Sequence, residues 1–143
     1  MTPTNRKEVC FILFFSKKHD PSQPRPDWPW RLTVNGMPTL QFSWTDIEAA
    51  LRKLVPETDS FVILEQKDPG NDKNYWYVQS AIALRSPDHG KYTVGVGYGS
   101  GDKRAYFERH VPRVEDVMSD FRLAHQRKPI NLSGFEDQSD MLF

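Results

Sequence analysis

The chain has 143 residues, 38% hydrophobic and 27% charged, which is one domain's length and enough for a real core. Nineteen Lys and Arg balance nineteen Asp and Glu, so the basic excess that marks nucleic-acid binders is missing. Cys10 is the only cysteine, which excludes an intramolecular disulfide and a cysteine zinc cage.

Residues 8–15 read as a strand or a hydrophobic clasp, with Cys10 buried and inert inside it. The apolar run 9–15 follows Arg6 and Lys7 but is too short to span a bilayer. Ser16-Lys17-Lys18-His19-Asp20 comes next, with no small-residue cleavage site. The expectation is a soluble, cytoplasmic single domain over residues 1–143. Residues 20–30 form a proline-rich arm, because Pro21, Pro24, Pro26 and Pro29 remove the donors that a ladder needs. Trp28 and Trp30 flank Pro29 and are expected to pin the arm to the body; the alternative is an exposed partner anchor. Whether the arm lies on its own domain or on a neighbour stays open.

Residues 31–34 and 37–42 flank Asn35-Gly36, the strongest short hairpin signal. Ser43 with Asp46 three residues on resembles a capping box. Ile47, Ala50, Leu51 and Leu54 then recur at helical spacing, so residues 44–54 read as an amphipathic helix that Pro56 ends. Residues 60–66 are a buried strand around Phe61-Val62-Ile63-Leu64. Residues 74–84 are another, with Trp76, Val78, Ser80 and Ile82 on one face and Tyr75, Tyr77, Gln79 and Ala81 on the other.

Residues 91–110 are the central hairpin. Tyr92, Val94, Val96 and Tyr98 alternate with small or polar residues. Gly99-Ser100-Gly101-Asp102 is read as a four-residue loop. That register sets Val96 against Ala105 and Val94 against Phe107, with Arg104 by Gly97, Tyr106 by Gly95 and Glu108 by Thr93 on the opposite face. Tyr106 is expected to lie across a glycine. The glycine run is not a phosphate loop, because a strand follows it where a helix N-terminus is required. Residues 111–128 read as a second helix, with Pro112 in its first turn and Val114, Val117, Met118 and Phe121 as its stripe. Residues 131–143 are an acidic tail that packs through Leu132 and Phe135 or hangs free.

The fold expected is α+β: an antiparallel sheet of about five or six strands with two α-helices packed on one face. No histidine sits in a metal-ligand spacing, and neither a cofactor nor a metal is expected. Glu108 and His110 share a strand face and suit an acid/base pair, yet a surface pair at a strand end fits as well. Arg104, Tyr106, Glu108 and His110 form a shallow surface, read either as sheet repair or as a partner-binding face. Glu136, Asp137 and Asp140 offer too few ligands for a cation and read as an interaction element.

The succession of a helix, FVILEQ, NYWYVQSA, YTVGVGYG, AYFERH and a second helix resembles the small bacterial immunity proteins of polymorphic and contact-dependent toxin systems. Tyr77 and Gln79 match that group's Tyr-x-Gln strand, and residues 92–98 match its tyrosine-led strand. The chain departs from it at Gly95 and Gly97, where an acidic residue is frequent, and in the proline-rich arm. The resemblance implies a non-enzymatic protein that binds and neutralises a cognate toxin, with no catalytic residue carried over. For a nuclease toxin, Glu136, Asp137 and Asp140 would suit a basic cleft. The other readings are a small enzyme using Arg104, Glu108 and His110, and a homodimer that pairs through a sheet edge.

Overall fold

Alternation of apolar and polar residues makes strands here, and its replacement by a spacing of three and four makes the helices. The computed structural model describes residues 19–142, so the strand expected at 8–15 and Cys10 lie outside the described residues. In chain order the elements are β1 (Trp30–Val34), β2 (Met37–Thr39), α1 (Trp44–Arg52), β3 (Val62–Asp68), β4 (Asn71–Ile82), β5 (Tyr92–Ser100), β6 (Lys103–Val111), α2 (Val114–His125) and β7 (Glu136–Asp137). A 3₁₀ turn, Ser139–Leu142, follows. The strands form one antiparallel sheet in the order β2-β1-β3-β4-β5-β6-β7. Among the described residues the fold is thus α+β with two α-helices. Its seven strands exceed the expected five or six, because residues of the acidic tail pair with β6.

Asn35 and Gly36 both take positive φ, 51° and 88°, which a two-residue β1–β2 turn requires. Asp46 accepts a hydrogen bond from the Ser43 N–H at 2.8 Å, which satisfies a donor that the start of α1 leaves over. α1 ends at Arg52, two residues before the expected limit. α2 begins at Val114, later than expected, because Val111 still pairs with Tyr92 in the ladder and buries its side chain in the core.

One sheet face carries Leu32, Val62, Leu64, Trp76, Val78, Val94 and Val96; α1 adds Ile47 and Leu51, and α2 adds Val117, Phe121 and Ala124. All of these are buried. The Asp120 carboxylate of α2 accepts a hydrogen bond from Arg109 of β6 at 2.6 Å. Burial pushes that carboxyl up from its ordinary value, and the Arg109 guanidinium pulls it back. The same guanidinium lies 5.0 Å from the Phe135 ring, so one arginine ties β6, α2 and the tail together.

The proline-rich arm lies against its own domain, and a buried glutamine holds it. Gln66, 1% exposed, accepts from the Arg25 N–H at 2.8 Å. Its amide donates to the Arg25 carbonyl at 2.8 Å and to the Trp28 carbonyl at 3.1 Å. Trp76 Nε1 donates to the Ser22 carbonyl at 2.9 Å, and Gln23 exchanges two bonds with the backbone of Ile130. Arg127, in the left-handed region at φ 58°, closes the far side by donating to the Arg25 and Trp28 carbonyls. A segment short of backbone donors is thereby held through its carbonyls.

Gln66→Ala strips three hydrogen bonds from the arm and leaves the Arg25 N–H without a partner, while the Arg25 and Trp28 carbonyls keep their bonds from Arg127. The expected loss is about 2–4 kcal/mol in urea unfolding, with the slope unchanged. A loss below about 0.5 kcal/mol would show that the arm does not depend on this side chain.

Candidate functional site on the open face of the sheet

Among the described residues both helices cover the same side of the sheet, and the other side is built from strand residues. Ladder register arranges them in rows across the strands. One row runs Arg31, Glu65, Tyr77, Gly97, Tyr106. The next runs Thr33, Ile63, Gln79, Gly95, Glu108, Glu136. Flanking rows hold Lys67, Tyr75, Gly99 and Arg104 on one side, and Ala81, Thr93 and His110 on the other.

The hairpin register differs from the expected one by two residues. Ser100 pairs with Lys103, so the turn is Gly101-Asp102, with Gly101 at φ 66°. Val96 therefore faces Phe107, and Val94 faces Arg109. On the open face Gly97 meets Tyr106, Gly95 meets Glu108, and Thr93 meets His110. A shift of two keeps every side chain on its expected face and changes only its partner.

Gly95, Gly97 and Gly99 leave a bare stripe of backbone along β5, and three tyrosines fill it. A Cβ at Gly95 would overlap the ring of Tyr106, one at Gly97 the ring of Tyr77, and one at Gly99 the ring of Tyr75. Tyr106 thus reaches across Gly95 diagonally, although Glu108 is the residue paired there. The rings stack in a row: Tyr75 and Tyr77 have centroids 6.2 Å apart at 17°, and Tyr77 and Tyr106 are 6.5 Å apart at 26°. Offset stacking of this kind adds to the burial of each ring.

A polar chain continues from the last ring. Gln79 Nε2 donates to the Tyr106 hydroxyl at 3.2 Å, and that hydroxyl donates to Glu108 at 2.9 Å. The other Glu108 oxygen lies 3.4 Å from His110 Nε2, and His110 Nδ1 lies 3.5 Å from Asp88. At the opposite end Arg31 Nε donates to Glu65 at 2.7 Å. Burial pushes the Tyr77 hydroxyl up to about 12, aided by Tyr75 and Glu65. Burial raises Tyr106 as well; the Gln79 amide opposes the rise and Glu108 adds to it. At neutral pH Tyr106 is therefore a hydrogen-bond donor and not a nucleophile.

Of the candidates read from the sequence, Tyr106, Glu108 and His110 come together here, and Glu136 stands directly across from Glu108. Arg104 shares the face but sits nearer the turn, by a groove that Pro21, Tyr98 and Lys103 also line. Asp137 pairs with Phe107, whose ring stacks on Tyr98, so it belongs to the other face. It accepts hydrogen bonds from the Ser139 hydroxyl and N–H, which hold its carboxyl below the ordinary value. Asp140 lies in the 3₁₀ turn. Tyr75, Tyr77, Gln79 and Asp88 were not among the candidates. For Tyr75 and Tyr77 the signal was the Gly-x-Gly-x-Gly run, whose vacant stripe is filled by aromatic residues of a neighbouring strand; Gln79 and Asp88 carried none.

Among the described residues, no group of three or more His, Cys, Asp or Glu side chains is placed to hold a metal ion. Among those residues, too, no helix is long and apolar enough to cross a membrane. No family model, no curated protein and no solved structure matches the chain.

Two measurements probe the tyrosine row. Gly97→Ala places a methyl where the Tyr77 ring lies and is expected to cost about 1–3 kcal/mol. In the Tyr77→Ala background the same change costs less, because the overlap is gone, and a double-mutant cycle reads the difference. The second measurement is stability against alkaline pH. An unfolded tyrosine ionises near 10 and folded Tyr77 near 12. Between those values the unfolded state holds fewer protons, so stability falls as pH rises, whereas below the lower value the contribution is complete. Tyr77→Phe is expected to flatten that fall.

Proposed function

We propose that the chain is a non-enzymatic protein-binding module, an immunity-type inhibitor that holds a bacterial toxin domain against the open face of its sheet. In that role it works in the bacterial cytoplasm. The observation that carries the reading is the Tyr75–Tyr77–Tyr106 row, laid flat on backbone and bordered by Arg31, Glu65, Glu108 and His110. Aromatic anchors already fixed in place lose little entropy when a partner covers them, and a charged rim supplies register.

Charge on this face narrows the partner's chemistry. Glu108 and Glu136 are opposed across strands β6 and β7, and Asp88 lies beyond His110. Like charges directly opposite each other repel. A lysine or arginine from the partner relieves that repulsion, so the surface suits a toxin with a basic site.

A second reading has one observation behind it. Tyr106, Glu108, His110 and Asp88 form a chain in which an imidazole is placed between two carboxylates, as an acid/base catalyst would be.

The decisive experiment is co-expression with a candidate toxin recovered on the tagged protein. Wild-type chain is expected to relieve the toxin's growth arrest and to form a one-to-one complex. Tyr77→Ala should weaken that complex by about 2 kcal/mol, roughly thirtyfold, and Glu108→Arg should abolish the relief. A recovered protein that is harmless, or that binds both variants as well as wild type, overturns the reading.

A further inference from the structure

The arm does more than cover the end of the core. Where it crosses β3, β4 and β5 it roofs a cavity of about 140 Å³, lined by Arg25, Trp28, Asp68, Asn74, Trp76 and Ser100 among others. That is far more than the roughly 15 Å³ one water needs. The cavity lies at the junction of the arm with the β3–β4 turn, and Tyr75, the end of the tyrosine row, forms part of its wall.

Two opposite charges share it without meeting. Arg25 is anchored by its backbone, whose N–H and carbonyl both bond to Gln66. Its guanidinium lies 4.9 Å from the centroid of the Trp28 ring, which fixes its plane. Arg25 Nε is buried and has no hydrogen-bond partner among the described residues. The guanidinium's nearest carboxylate is Asp27 at 3.9 Å, and Asp27 is largely exposed. The Arg25 side chain as a whole is 32% exposed, so the other N–H groups of its guanidinium can meet an acceptor that arrives from outside.

Across the cavity, Asp68 accepts hydrogen bonds from the Gly70 N–H at 2.8 Å and from Asn74 Nδ2 at 3.1 Å. Those bonds keep its carboxyl below the ordinary value, with a smaller contribution from Arg25. A carboxylate has about four acceptor sites, so two bonds leave capacity for a cation.

We propose that this cavity binds a small zwitterion of the α-amino-acid type, with its carboxylate on the Arg25 guanidinium and its ammonium on the Asp68 carboxylate. A simple anion would be repelled by Asp68 and a simple cation by Arg25. A zwitterion satisfies both ends, and charge-assisted hydrogen bonds are the strong ones. Room for its side chain lies next door: a groove of about 580 Å³ shares Pro21 and Ser100 with the cavity. The two charged groups proposed to hold the ligand, Arg25 and Asp68, are not part of the tyrosine row, although Tyr75 lines the cavity wall, so substituting them tests this site separately from the protein-binding reading.

The test is calorimetric titration of the full chain with each of the common free amino acids, with tryptophan fluorescence as a second readout. Acetate and methylammonium serve as singly charged probes. At least one amino acid is expected to bind with a dissociation constant below about 1 mM, and both single-charge probes at least about tenfold more weakly. Arg25→Gln and Asp68→Asn should each weaken binding about tenfold or more, with urea unfolding as the check that the fold persists. Silence across the whole panel overturns the proposal. So does acetate binding as tightly as any amino acid, which needs no variant to be read. Binding that survives both substitutions places the ligand elsewhere and overturns it too.

Discussion

The open face depends on the absence of side chains at three alternate positions of β5. Gly95, Gly97 and Gly99 present bare backbone, and glycine in a strand interior weakens it by losing both packing and entropy. Here the loss is offset from the side, by Tyr75 and Tyr77 of β4 and Tyr106 of β6. Each ring covers ladder hydrogen bonds that would otherwise face water. The same rings become a preformed aromatic surface. One constraint therefore serves stability and shapes the candidate site, and no substitution in the stripe can touch one without the other.

The opposite end of the sheet is organised by a different economy. The arm has few N–H groups to give, so its carbonyls are what the body can hold. Gln66, Trp76 and Arg127 each donate to one or more of them. Arg127 does so from a left-handed backbone, which a glycine would adopt more readily. Its side chain explains the exception, since it bonds two arm carbonyls and lies 5.5 Å from the Trp30 ring.

Local patterning made much of this legible. The alternation in β4 and β5 assigned every side chain to its observed face, and Asn35-Gly36 and the Ser43–Asp46 pair marked a turn and a helix start. Partners across strands were harder. Gly99-Ser100-Gly101-Asp102 offers turn chemistry at every position, and only the ladder decides that Ser100 still pairs with Lys103. Because the slip was two residues, Tyr106, Glu108 and His110 stayed on one face, and the error moved their neighbours instead. Contacts made across long stretches of chain left no local trace. Gln66 looks like any polar strand residue until Arg25, 41 positions earlier, is folded onto it. The short β7 was hidden for the same reason: Glu136 and Asp137 have no strand pattern of their own and pair only because β6 offers an edge.

Edges bear on how such a sheet can meet a partner. Among the described residues β2 is the outer strand on one side, and its middle residue is Pro38, paired with Thr33. The two-residue turn makes Val34 and Met37 the first hydrogen-bonded pair, so the Pro38 nitrogen points outward, where it has no proton to offer. On the other side β7 is two residues long, and both are acidic. Short strands, proline and charge are the devices that discourage strand addition. Met37 and Leu40 are exposed beside β2, at 73% and 74%, but a partner lying along that edge would find a gap at the centre of its ladder. The face has no such gap: its tyrosines are already stacked and its charges already in rows. On physical grounds the face, rather than either edge, is where this sheet is best prepared to be covered.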